Sequence, residues 1–203
     1  MKANKSKKER LYLELTETQK RFMDADADEV LFGGAAGGGK SYGQLADALI
    51  YALKYPKSRQ LILRKTYPEL EHSLILVSLE FYPRSACRYA ASSRKWIFLN
   101  GSIIEFGFCA AKTDVLRYQG AEYDVVRFDE LTHFTEDQYT YLISRIRGVN
   151  SYPKMVKSST NPGGIGHNWV KRRFIDGFEP DTVHTDKETG ARRLFIPSYV
   201  SDN

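Results

Sequence analysis

Hydrophobic residues recur along this chain with two different periods. Short β-rich runs occur at Glu29–Phe32, Gln60–Lys65, Tyr123–Glu130, Met155–Thr160 and Arg192–Pro197. Each is brief and bounded by polar or turn residues, which predicts strands, the first two fully buried. Between them the spacing changes to three and four. Leu45, Leu49 and Leu53, flanked by Ala48 and Ala52, predict one buried helical face. Leu70, Leu74, Val77 and Phe81 predict a second, and Tyr139, Leu142, Ile143 and Ile146 a third. Capping boxes announce helix starts at Thr16 with Gln19, Thr66 with Glu69 (Pro68 in the first turn), and Thr135 with Gln138. A last helix opens in Gly166–Phe174. Strand and helix alternate, so the expected fold is α/β, a mainly parallel sheet covered by helices.

Three stretches depart from that rhythm. Trp96–Leu99 and Ser102–Phe108 flank Asn100-Gly101, the sequence of a type I′ turn, and predict an antiparallel hairpin inserted in or beside the sheet. Arg84, Arg88, Arg94 and Lys95 surround it as a basic rim. Lys112–Gly120 is polar and reads as an exposed loop or short helix. Arg127 interrupts an apolar strand. Alternation sets it on the face opposite Val126 and Phe128, at a sheet end.

The chemistry is concentrated at Gly33–Ser41. From Gly34, the residues Gly34-Ala35-Ala36-Gly37-Gly38-Gly39-Lys40-Ser41 spell G-x-x-x-x-G-K-S, the phosphate-binding P-loop. Glycines let the backbone curl and aim its N–H groups inward at a helix N-terminus, where the peptide dipoles also favour an anion. Lys40 is placed to reach the β- and γ-phosphates, and the Ser41 hydroxyl to ligate Mg²⁺. Asp129 and Glu130 end a later strand, at the sheet edge where open α/β folds bind ligands. Asp129 there suits Mg²⁺, and Glu130 suits polarisation of an attacking water. Thr160 and Asn161 end another strand, as a γ-phosphate sensor or as plain turn chemistry before Pro162-Gly163. Gln19 has two readings, a helix cap or an amide that reads adenine N6 and N7. His167 reads as a cap or packing residue. Lys171, Arg172 and Arg173 face either DNA or water.

Composition narrows the setting. With 203 residues, 42% hydrophobic and 27% charged, the chain supports one domain with a full core. A net charge of +5 favours polyanionic partners only weakly. Cys87 and Cys109 are the only cysteines, too few for a disulfide framework or zinc site, which suits a reducing cytosol. No run approaches the ~20 apolar residues of a membrane span, so no membrane partner is expected. Residues 1–14 read as a basic flexible tail and 15–203 as the working domain. The end at Ser201-Asp202-Asn203, with no closing helix, reads as a cut from a longer chain.

The combination of Leu15–Gln19, the P-loop, Ile62-Leu63-Arg64-Lys65-Thr66, Arg117–Gly120, Val125–Glu130, Ser159–Gly164 with Trp169, and Phe195-Ile196-Pro197 with Asp202-Asn203 resembles the ATPase domain of the large terminase subunit of tailed bacteriophages. That resemblance implies an ASCE-type P-loop NTPase that hydrolyses ATP with Mg²⁺ to drive double-stranded DNA into a procapsid. It implies roles too: Gln19 on adenine, Lys40 and Ser41 on phosphate and metal, Asp129 on Mg²⁺, Glu130 as catalytic base, and Thr160-Asn161 coupling hydrolysis to movement. Arg117 is placed like an arginine finger inserted into a neighbouring subunit, with Arg64 a weaker rival. The implied partners are DNA, further copies in a ring, the portal and the small terminase subunit, in the host cytoplasm. Asp176, Glu179, Asp181, Asp186 and Glu188 fall in predicted loop and hairpin, so neither the family's nuclease activity nor its lid subdomain is expected in this sequence. The alternatives are a helicase-like or other P-loop NTPase, a nucleotide kinase (disfavoured by Glu130), or a nucleotide-gated assembly module with little turnover alone.

Overall fold

The computed structural model describes residues 12–34 and 39–199. The tail up to Leu11, the loop residues Ala35, Ala36, Gly37 and Gly38, and Asp202-Asn203 of the resemblance lie outside the described residues.

The elements follow in chain order as α1 (Glu17–Asp24), β1 (Glu29–Gly34), α2 (Lys40–Lys54), β2 (Arg59–Arg64), α3 (Tyr67–Leu70) running through a π turn into α4 (Leu76–Phe81), β3 (Cys87–Ala90), β4 (Lys95–Phe98), β5 (Ile103–Phe108), β6 (Val125–Phe128), α5 (Glu136–Ile143), β7 (Met155–Thr160), α6 (His167–Phe174), β8 (His184–Thr185) and β9 (Arg192–Ser198). They build one nine-stranded sheet in the order β3-β4-β5-β2-β6-β7-β1-β9-β8. The six strands from β5 to β9 in that order run parallel, and β3, β4 and β8 are antiparallel margins.

Strand alternation sorts the core. Leu61, Leu63, Val126 and Phe128 face α5 and α6, against Tyr139, Leu142, Trp169 and Phe174. Ile62, Ile104 and Phe106 face the other way, onto Leu45 and Leu49 of α2, Leu70 and Leu74. Phe22 of α1 closes a smaller cluster over Val30, Phe32 and Ile196. The parallel register aligns the strand ends: Leu63 of β2 lies beside Phe128 of β6, Phe128 beside Ser158 of β7, and Gly33 of β1 beside Thr160. Everything that follows those residues therefore meets at one edge.

Several expectations change. Arg127 does lie on the face opposite Val126 and Phe128, but not at a sheet end: it is fully buried in the middle of the sheet. Its guanidinium pairs with Asp47 of α2 and donates to Gln60 Oε1 at 3.0 and 2.9 Å. Lys157 donates to the same Asp47 at 3.1 Å and to the Phe22 and Met23 carbonyls at 2.9 and 3.0 Å, so it also caps the C-terminus of α1. Desolvation pushes the Asp47 carboxyl up, but the two cations outweigh it and hold it below the ordinary range. Leu53 is partly exposed at the end of α2, and Ile146 lies past the end of α5 in a bridge to Tyr123. The hairpin forms, yet its turn is not type I′. Gly101 N–H donates to the Phe98 carbonyl and Gly101 alone has positive φ (+85°), which is a type I turn followed by a left-handed glycine. Lys112–Tyr118 is a 3-10 helix. Among the described residues no helix is long and apolar enough to cross a membrane.

Candidate functional site

β1 delivers the P-loop to the C-terminal edge of the sheet. At Gly34 the backbone has φ +136°, and an added Cβ would lie 2.0 Å from the Ser198 carbonyl, so only glycine fits against β9. Gly39 is left-handed (φ +60°) at the N-cap of α2. Its carbonyl accepts from Gln19 Nε2 at 2.9 Å. Lys40 opens the helix, almost buried. Burial lowers its pKa, opposed by the nearby carboxylates of Glu130 and Asp129.

Gln19 occupies both ends of a local clasp. Its Oε1 accepts from Thr16 N at 2.9 Å and its own N–H donates to Thr16 Oγ1 at 3.2 Å, the capping-box reading. The same side chain ties α1 to the P-loop through Gly39.

β6 ends at Phe128, and its next two residues carry the carboxylates. Asp129 is 1% exposed. Its Oδ1 accepts from Ser41 Oγ at 3.0 Å and Ser159 Oγ at 2.6 Å; its Oδ2 accepts from Arg64 Nη1 at 2.6 Å. Glu130 has φ +58° and ψ +63°, a left-handed conformation that costs a non-glycine residue energy and concentrates at functional sites. Two bonds from Asn161 hold its carboxylate: the backbone N–H at 2.9 Å to Oε2, and Nδ2 to Oε1. The turn is braced in turn by Thr132, whose N–H donates to Thr160 Oγ1 at 3.3 Å and whose hydroxyl donates to the Asn161 carbonyl at 3.1 Å. His167 Nδ1 accepts from Gly163 N at 3.2 Å, a packing role within the same turn.

The structure thus brings Ser41, Asp129, Glu130, Thr160 and Asn161 together, with Lys40 beside the two carboxylates. Arg117 is elsewhere. It is half exposed, bonded to Asp114 at 3.0 Å, with its guanidinium 4.8 Å above the Phe108 ring. Arg64 is the arginine within the cluster, 2.6 Å from Asp129 and 3.9 Å from Glu130. The basic groups around the hairpin do not converge on one spot. Arg84 packs over Trp96, Arg94 over Phe108, and Lys95 pairs with Glu105. In α6, Arg173 turns inward and is largely buried, donating to buried Glu29 at 2.7 and 2.8 Å.

Ser159 is a site residue that sequence reasoning missed. Its signal was weak: a serine inside a buried strand, one position before Thr160. The Ser41 hydroxyl and Asp129 carboxylate together offer hard oxygen donors. Among the described residues no three or more His, Cys, Asp or Glu cluster as a metal cage. The donor pair of Ser41 hydroxyl and Asp129 carboxylate is of the kind that suits Mg²⁺, which takes one or two protein oxygens and completes its shell with phosphate and water.

A parallel sheet whose first strand runs through a glycine loop into a helix, with Asp-Glu at the end of another strand, defines the P-loop NTPase fold. A sequence model described as phage terminase large subunit matches residues 26–203, and the chain belongs to that family. No curated protein matches the sequence. Among solved structures, the chain resembles the large terminase of a thermophilic bacteriophage, with TM-score 0.70 and 17% identity over 94% of this chain and 47% of that one. It also resembles the large terminase ATPase domain of Thermus phage P74-26, with TM-score 0.66 and 18% identity over 93% and 81%. A third likeness is to a chain of the bacteriophage Phi-29 viral genome packaging motor assembly, TM-score 0.56 and 14% identity over 96% and 60%. The chain therefore spans about half the length of the first of these, the thermophilic phage's large terminase (47%).

Proposed function

We propose that residues 15–203 form a Mg²⁺-dependent ATPase domain that powers movement of double-stranded DNA into a procapsid. The observation that carries this reading is the meeting of the Ser41 hydroxyl with Asp129, next to a Glu130 carboxylate held in a strained turn by Asn161. Family membership and likeness to the packaging motor assembly support the DNA-moving role. The large terminase of the thermophilic phage has been solved with ADP and with ATP-γ-S, which supports the choice of nucleotide.

In this reading Gly34 to Ser41 wrap the phosphates, Lys40 neutralises the β- and γ-oxygens, and Gln19 takes the adenine by exchanging its present bonds to Thr16 N and the Gly39 carbonyl. Ser41 and Asp129 would hold Mg²⁺, which would supply charge neutralisation on the phosphate oxygens. Glu130 accepts the proton of the attacking water. Asn161 fixes the direction of that carboxylate, and Thr160-Asn161 carry the change at the γ-phosphate toward α6. Arg117, exposed and away from its own Asp129, enters the site of the next copy in a ring. A lone chain then turns over slowly, as the assembly-module alternative also expects. Double-stranded DNA, the portal and the small terminase subunit are the proposed partners, in the host cytoplasm.

The test is ATP turnover with and without double-stranded DNA, in Mg²⁺ and in chelator. Glu130→Gln should lose about 10²- to 10⁴-fold in rate while still binding nucleotide. An unchanged rate in that variant contradicts the assignment of the base.

A further inference from the structure

Arg64 sits where a metal would compete with it. It ends β2, beside β6, with its side chain 14% exposed and its Nη1 2.6 Å from Asp129 Oδ2. Asp129 is 1% exposed, and its other oxygen is already taken by the Ser41 and Ser159 hydroxyls. A carboxylate that deep needs a cation, because an unpaired buried charge is strongly unfavourable. Among the described residues Arg64 is hydrogen-bonded to it, and Lys40 lies close enough to feel its charge. The pairing is lopsided: Arg64 Nε is buried and has no hydrogen-bond partner, so the guanidinium meets the carboxylate through one nitrogen rather than as a two-pronged fork. The next carboxylate, Glu130 Oε1, lies 3.9 Å from the same Nη1, too far for a hydrogen bond but within easy reach of a side-chain rotation.

We infer that Arg64 is an exchangeable counterion of Asp129, a positioning residue that Mg²⁺ displaces on loading and that then turns toward Glu130. The inference rests on the reading of Asp129 as the metal carboxylate. A dication at Asp129 repels the guanidinium at close range and replaces its charge. Arg64 and the metal are then alternative partners of one oxygen, and each weakens the other by the same factor. Rotation toward Glu130 gives the displaced charge a second carboxylate and leaves Asn161 free to keep its own two bonds. Metal loading is thereby linked to the electrostatics of the base, through a residue of the same chain. This role differs from that of a finger supplied by a neighbour.

The experiment measures equilibrium affinity for a fluorescent ADP analogue, with saturating Mg²⁺ and with chelator, in the wild type, Arg64→Gln, Arg64→Lys and Asp129→Asn. The readout is the ratio of the two affinities, from which Arg64's direct attraction for phosphate largely cancels. Arg64→Gln removes the competing charge and should raise the ratio about tenfold. Arg64→Lys keeps a charge and should stay within about twofold of wild type, which also guards against a variant that merely fails to fold. A ratio unchanged or lowered in Arg64→Gln overturns the exchange, even if the melting temperature drops, because lost packing alone does not change the metal's share of affinity. Asp129→Asn separates the two claims. If it leaves the Mg²⁺ enhancement intact, the metal reading of Asp129 fails and the inference falls with it. If it abolishes the enhancement while Arg64→Gln leaves the ratio unmoved, only the role of Arg64 is overturned.

Discussion

Glu130 and Asn161 show how much a single pair of residues decides. The left-handed backbone at Glu130 is tolerable because Asn161 grips the carboxylate by two donors and Thr132 locks the turn below it. Asn161→Ala should therefore cut kcat by roughly 10- to 100-fold with little change in KM, since it removes orientation rather than binding; steady-state kinetics reads that split directly, and a pure KM effect would contradict it. Glu29 carries a different prediction. Burial pushes its carboxyl up, but Arg173, the Tyr139 hydroxyl at 2.6 Å and Arg193 together pull it below the 4.5 of a free glutamate. The folded state thus favours the charged form. That stabilisation is complete above the unfolded value and is lost as the pH falls through the folded one. At neutral pH Glu29→Gln should cost on the order of 3 kcal/mol in denaturant melts, by leaving Arg173 and Arg193 without their anion. The gap to wild type should begin to close below about pH 4.5 and go on closing as the pH falls through the lower folded value; a gap constant down to pH 3 refutes the assignment. At this scale Lys40, Ser41, Asp129 and Glu130 were legible, because short-range spacing is enough to recognise them. Ser159 and the particular bonds of Arg64 and Asn161 were not, because strand register, which no local pattern encodes, brings Ser159 and Arg64 to Asp129 and Asn161 to Glu130.

The elements explain why that register holds. α2 is anchored along its sheet-facing side: Gln44 Nε2 donates to the Phe128 carbonyl at 2.9 Å, and Asp47, one turn on, gathers Arg127 and Lys157 from β6 and β7. The P-loop helix is thereby bolted to the two strands that carry Asp129 and Asn161. Alternation revealed which face Arg127 takes but not its partner, since Asp47 lies on a helix eighty residues earlier. The hairpin was legible from Asn100-Gly101 while its turn type was not, because the twist is absorbed by Gly101 alone. Gly34 makes the sharpest test of element placement. Gly34→Ala puts a methyl group 2.0 Å from the Ser198 carbonyl and demands a positive φ, so it should cost at least about 2 kcal/mol and weaken nucleotide binding as β9 is pushed away. Thermal melting and nucleotide titration together check this; wild-type values for both would mean that β9 does not abut the loop.

For the whole molecule, the parallel register places Gly34, Asp129, Glu130, Thr160 and Asn161 at one edge of the sheet, while Arg117 stands apart on a 3-10 helix against Phe108. The proposed head-to-tail ring requires a finger that stands away from the site of its own copy, as Arg117 does. The measurement that tests this most directly is Mg²⁺-ATP turnover against protein concentration for Glu130→Ala, Arg117→Ala and their equimolar mixture. The account predicts that each variant alone is nearly silent and that the mixture recovers activity. Random mixing in a head-to-tail ring leaves about a quarter of interfaces with both residues intact. Full activity of Arg117→Ala at every concentration, or no recovery on mixing, would contradict a shared site and leave each copy to hydrolyse ATP alone.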